Sequence, residues 1–258
     1  MLKQKARPGA RAARSECLDG QAGGIHERRI AWVVHDETPR PDERRHSAQP
    51  CHHLVPDSAG PEAEAAAPMR TFTLDTSCID AINEGRAEVK FIRMLGDAHT
   101  TGKAKIAVVA LSAAEKHQVG SYFDDFDAFR DHLAAVDLAR LEILKPMACF
   151  DISFSDWCIE GDETMQALEK QIHDILFPQS QFTWEDYCEE HGIDPSFSLR
   201  GDWRKFKCDV QSLWAHIQNK RDVFVTLDDN FHKPANKPAL IGLGAGLIEH
   251  PQQALALV

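Results

Sequence analysis

Long hydrophobic runs are missing from this 258-residue chain. No segment reads as a membrane span, which needs roughly 20 apolar residues in sequence. The basic start MLKQKARPGARAARSE is not followed by an apolar stretch, so no secretory signal is expected, and the acids that soon follow argue against an organelle transit peptide. Seven cysteines, at positions 17, 51, 78, 149, 158, 188 and 208, contain no CxxC pair. That excludes metal-finger spacing and fits the reduced thiols of a cytoplasmic protein. Missing too are the G-x-x-x-x-G-K-[ST] phosphate loop and the G-x-S-x-G nucleophile elbow, which sets aside P-loop nucleotide hydrolysis and serine acyl transfer. Asp124-Asp125-Phe126-Asp127 lacks the glycine and terminal glutamate of a calcium loop and reads as a solvated helix start.

Positive charge is scarce in most of the chain. Residues 71–258 hold 18 Lys and Arg against 30 Asp and Glu, whereas residues 1–70 are close to neutral. An acidic domain coats nucleic acid poorly, because phosphate contacts need clustered Lys and Arg. A nuclease whose carboxylates are partly neutralised by metal ions remains compatible with this balance.

Two regions separate by composition. Residues 1–68 are rich in Pro, Gly, Ala, Arg and His, and their one strand-like run, Ile30 to Val34, has no partner to pair with. This segment is expected to be either a disordered extension or upstream sequence wrongly joined to the chain, with Met69 as the true initiator. From 69 to 258 strands and helices alternate. Strands are expected at Thr71–Leu74, Lys105–Ala110, Met147–Ile152, Val223–Thr226 and Gly246–Glu249. Helices are expected over Ile79–Leu95, Ser112–Val119, Phe123–Leu144, Glu163–Leu176, Thr183–His191 and Cys208–Asn219, with Pro251 opening a closing helix. This alternation predicts an α/β fold, a three-layer α/β/α sandwich with a mainly parallel central sheet.

Open α/β sheets gather their ligands at the carboxyl ends of the strands, near the point where strand order reverses. Asp75 follows the first strand directly, Glu115 falls in the first turn after the second, Asp209 is expected to start the helix feeding the Val223 strand, and Asp228 closes that strand. Four carboxylates delivered to one sheet edge repel one another unless a cation joins them. Oxygen ligands of this kind select Mg²⁺ or Mn²⁺, which suits metal-assisted phosphodiester hydrolysis.

These same segments resemble the motifs of the PIN-domain family. Leu74-Asp75-Thr76-Ser77 before a helix looks like its opening motif, and Val108-Val-Ala-Leu-Ser-Ala-Ala-Glu115 like its second. Cys208-Asp209 and the T-x-D-x-x-F core of Thr226-Leu-Asp228-Asp-Asn-Phe231 are similar to its last two. The acids are spaced by 40, 94 and 19 residues, and the long middle interval marks an insertion around 153–200. The resemblance implies a PIN-like fold over 69–258 and a Mg²⁺- or Mn²⁺-dependent endoribonuclease held together by Asp75, Glu115, Asp209 and Asp228. It further implies an RNA substrate and, as in the toxin components of bacterial toxin–antitoxin pairs, an antitoxin-like protein partner and a homodimer.

Each residue also has a plainer reading. Asp75 can cap the helix after it, Glu115 can close an S-x-x-E capping box with Ser112, and Asp209 can merely favour the positive end of its helix. Ser77 and Thr226 can be a cap and a core hydroxyl, or line the site and touch substrate. Arg200, Arg204, Lys205 and Lys207 form the one basic cluster; Arg204 and Lys205 beside a nuclease site would contact RNA phosphate. Trp157, Trp184, Trp203 and Trp214 read as core or interface anchors rather than base-stacking platforms. A fold of this kind that no longer cleaves, acting as an RNA- or protein-binding module, is the alternative function.

Overall fold

The computed structural model describes residues 68–111, 123, 125–196 and 201–258. These lie in the second of the two units, 1–62 and 63–258, into which the chain divides. All but the last residue of the 1–68 segment, and the Ser112–Val119 helix with Glu115, fall outside the described residues.

Five parallel strands form one sheet: β1 (Thr71–Leu74), β2 (Lys105–Val109), β3 (Glu142–Leu144), β4 (Val223–Val225) and β5 (Leu247–Glu249). Their order is β3-β2-β1-β4-β5, so the direction of winding reverses between β1 and β4. Around the sheet lie α1 (Thr76–Glu84), α2 (Val89–Thr100), α3 (Phe126–Ala135), α4 (Glu163–Leu176), α5 (Trp184–His191) and α6 (Gly201–Gln218). Three short helices follow, α7 (Asp229–His232), α8 (Asn236–Leu240) and α9 (Pro251–Leu255).

Strand side chains alternate between two cores, which makes the three layers. Ala107, Val109, Phe224 and Ile248 pack on one face with Trp214 of α6 and Ile172 of α4. Ile106, Val108, Phe72 and Val225 pack on the other with Ile79 of α1, Leu95 of α2 and Phe129 of α3. The expected α/β architecture is present, and the sheet is entirely parallel among the described residues. No described helix is long and apolar enough to cross a membrane.

Several boundaries differ from expectation. The Ile79–Leu95 helix is two helices, because Gly85 stops α1 in the left-handed conformation (φ 66°) and Arg86 N–H returns to the Ala81 carbonyl. The Phe123–Leu144 helix ends at Ala135, and its last three residues are β3. Met147–Ile152 is therefore not the third strand; it makes only an isolated bridge from Met147 to Ile159. Apolar residues in Leu138–Leu144 continue the helical periodicity by chance, and Asp137 (φ 65°) turns the chain away from it.

Polar ties set the sheet's register at the edge opposite the ligand end. Asp222 Oδ2 accepts from the Thr71 amide (2.7 Å) and hydroxyl (2.8 Å), pinning β4 beside β1. Arg221 donates to the carbonyls of Phe72 and Lys105 (both 2.9 Å) and pairs with Glu142, spanning β1, β2 and β3. Gly246 (φ 60°) must be glycine, since a Cβ there would meet the Asp222 carbonyl.

Candidate functional site

Asp75 and Asp228 stand just past the carboxyl ends of the paired strands β1 and β4, where the strand order reverses. The Asp75 amide donates to the Val225 carbonyl (2.9 Å), so the residue still belongs to the sheet as the chain turns into α1. Its carboxyl is 1% exposed and does not cap α1. Instead Oδ2 accepts from the Ser77 hydroxyl (2.8 Å) and the Thr226 hydroxyl (2.8 Å). The capping reading of Asp75 is thereby replaced by a held, inward-facing carboxyl. Ser77 Oγ in turn accepts from the Leu227 amide (3.0 Å), and Thr226 Oγ1 from the Asp228 amide (3.0 Å). The two hydroxyls thus clamp the β4 exit loop onto Asp75.

Asp209 arrives from the opposite wall. α6 begins at Gly201, so Asp209 sits in the helix interior and not at its start. The glycine and the four charged residues within Gly201–Lys207 hid those first turns from the periodicity, and the expected place at a helix N-terminus is not the one Asp209 takes. α6 is fixed to the sheet by His216, whose Nε2–H donates to the Ala245 carbonyl (2.9 Å) while Nδ1 accepts from the Thr73 hydroxyl (2.9 Å). Burial pushes that imidazole down to about 4, so it serves as a neutral peg. Asp209 is 5% exposed, and no described residue donates a hydrogen bond to its carboxyl.

The electrostatics follow from this enclosure. Burial first, then the charges of Asp75 and Asp228, hold Asp209 well above the usual carboxylate range. Burial also raises Asp75, against the lowering effect of its two hydroxyl donors. Asp80 on α1 was not anticipated: burial, then Asp75 and Glu84, push it up to about 6. Sequence offered no sign of it beyond an acid lying one helical turn past the Asp75 motif. Asp228 is only partly buried, its side chain 23% exposed. Its Oδ1 accepts from the Asn230 amide (2.8 Å) and starts α7, while Oδ2 lies 3.8 Å from Lys205 Nζ.

The basic cluster does not act as one. Arg204 is buried and pairs with Asp151 (2.6 Å), and Lys207 is buried against Glu169, so neither presents itself to solvent. Arg200 lies outside the described residues; of the other three Lys205 alone is exposed, and it leans towards Asp228 from the same helical face as Asp209. Among the tryptophans, Trp184, Trp203 and Trp214 are buried, as anchors would be.

Among the described residues, no three His, Cys, Asp or Glu side chains already stand close enough together to hold a metal ion. The donor chemistry nevertheless fits a hard cation: carboxylate oxygens, those of Asp209 buried and given no donor by a described residue, with Lys205 a positive charge that lowers Asp209. In comparisons with known proteins the chain matches no protein-family model, no curated protein and no solved structure.

Proposed function

We propose that this chain is a Mg²⁺- or Mn²⁺-dependent endoribonuclease of PIN-like type. Asp75, Asp209 and Asp228 would hold the metal, with Glu115, outside the described residues, as the fourth acid. Asp209 carries this reading. A carboxyl buried beside two others, with no donor of its own, is costly to keep and is relieved by a divalent cation. Such a cation supplies a more acidic bound water and charge stabilisation at a phosphodiester. The chain's residues do the rest: Ser77 and Thr226 fix Asp75, and Lys205 puts positive charge at the rim where a phosphate would approach. The substrate class, RNA, comes from the motif resemblance, as do the antitoxin-like partner and the homodimer.

The purified protein incubated with mixed RNAs should cleave them with Mn²⁺, not with EDTA, and not after Asp75→Asn. Cleavage that survives EDTA or the substitution would overturn the mechanism. One observation favours the non-cleaving module instead: both Asp228 oxygens already have company, in Asn230 N–H and Lys205. RNA retained uncut in Mn²⁺ would select that reading.

A further inference from the structure

On the other face of α6, away from Asp209, lies a cavity of about 340 Å³ between α4, the start of α5 and the Met147–Phe150 loop. Its size falls at the small end of ligand sites, which run from about 300 to 1,000 Å³. Phe182, Trp184 and Trp203 form its aromatic walls. Both indole N–H groups are already spent, on the carbonyls of Pro195 (3.2 Å) and Gln181 (3.0 Å), so the two indoles offer the cavity carbon surface and no donor. Phe150 stands at the mouth, 85% exposed, an unusual position for a large hydrophobe.

Two buried charges line the same space. Lys207 Nζ pairs with Glu169 Oε1, which also accepts from Gln211 Nε2 (2.6 Å). Gln211 Oε1 is itself occupied by the Met147 amide (3.0 Å), so the floor is rigidly set. Lys207 also sits over the Phe182 ring, 4.6 Å from its centroid. Glu169 Oε2 receives no donor from a described residue, and an ammonium with one carboxylate partner keeps further N–H groups to give. The cavity thus presents an acceptor and a donor side by side, next to an aromatic lining.

We propose that this cavity binds a nucleobase, stacked on its aromatic walls with a ring nitrogen or carbonyl on Lys207 and an exocyclic amino group on Glu169. Neighbouring donor and acceptor groups on one edge of a flat heterocycle are what bases carry, and base–aromatic stacking strengthens such binding. None of the residues belongs to the acid site, so the inference stands or falls independently of the nuclease reading. The base arrives either as a free nucleotide or within a single strand.

Calorimetric titration of the full chain in EDTA tests this with adenosine, AMP, ribose 5-phosphate and a six-residue oligoadenylate. Adenosine and AMP should bind saturably, and purine riboside, which lacks the amino group, about tenfold more weakly. Equal affinity for AMP and the oligonucleotide identifies a free nucleotide as the ligand, and much tighter oligonucleotide binding identifies a base in a strand. Ala148→Trp, at an exposed position on the rim, should block binding without touching the buried pair, and Phe150→Ala should weaken it severalfold. No binding of adenosine or AMP, equal binding of ribose 5-phosphate, or unchanged binding by Ala148→Trp would overturn the proposal.

Discussion

Two buried carboxylates, Glu169 packed against α6 from α4 and Asp209 carried by α6 itself, are treated differently by the chain. Glu169 receives an ammonium from Lys207 and an amide from Gln211, so its charge is answered within the fold. Asp209 is nearly as buried, yet its neighbours are Asp75 and Asp228, and nothing described donates to it. An acid supplied with its own donors can hold two helices together. An acid left among other acids weakens the fold and keeps its place for some other reason, which points to chemistry or binding.

The contrast can be broken in three ways. Lys207→Met leaves Glu169 buried with one neutral donor and should cost about 3–5 kcal/mol, read from the urea midpoint; a loss below about 1 kcal/mol would mean the pair is not compensating anything. Asp209→Asn should do the reverse in metal-free buffer, stabilising the protein by about 1–3 kcal/mol, and on the proposed nuclease reading it abolishes cleavage. A destabilised Asp209→Asn protein would show that the carboxyl has a structural partner after all.

The smallest effect belongs to pH. Asp80 titrates near 6 in the folded protein against 3.8 unfolded. The folded state therefore keeps a proton that the unfolded chain gives up, and its stabilising share is complete below 3.8 and lost as pH rises through about 6. Asp75 and Asp209, raised in the same direction, add to this. For Asp80 alone the loss is about 1 kcal/mol once partial solvation is allowed for. Thermal denaturation in EDTA from about pH 4 to 7 should show stability falling, and Asp80→Asn should flatten the slope. A wild-type profile that rises over this range would contradict the shift.

What the sequence made legible was whatever local pattern could carry. Apolar runs marked β2 and β4, the short Thr71–Leu74 segment marked β1, and the residues just past β1 and β4 flagged Asp75, Ser77, Thr226 and Asp228 as neighbours across the switch point. β3 was missed because three residues, one of them the exposed Glu142, leave no periodicity to read. The basic run before Asp209 looked like one patch because linear order does not show helical faces; on α6, Arg204, Lys205 and Lys207 point to three different surroundings. The aromatic cavity was illegible for a similar reason. Trp184 and Trp203 are anchors, as expected, but the space they enclose exists only once α4, α5 and α6 have packed.

The central position of β1 has a consequence for how the molecule comes into being. It is the first strand of the sheet to leave the ribosome, yet one of its two neighbours, β4, is made about 150 residues later, the same interval that separates Asp75 from Thr226. Parallel pairing over such a separation is slow to form. Until it does, β1 carries an unpaired edge, the feature that invites misassociation between chains. A chain made only as far as α6 therefore has neither the acid centre nor the β1–β4 pairing, and the centre takes shape only once β4 has been made.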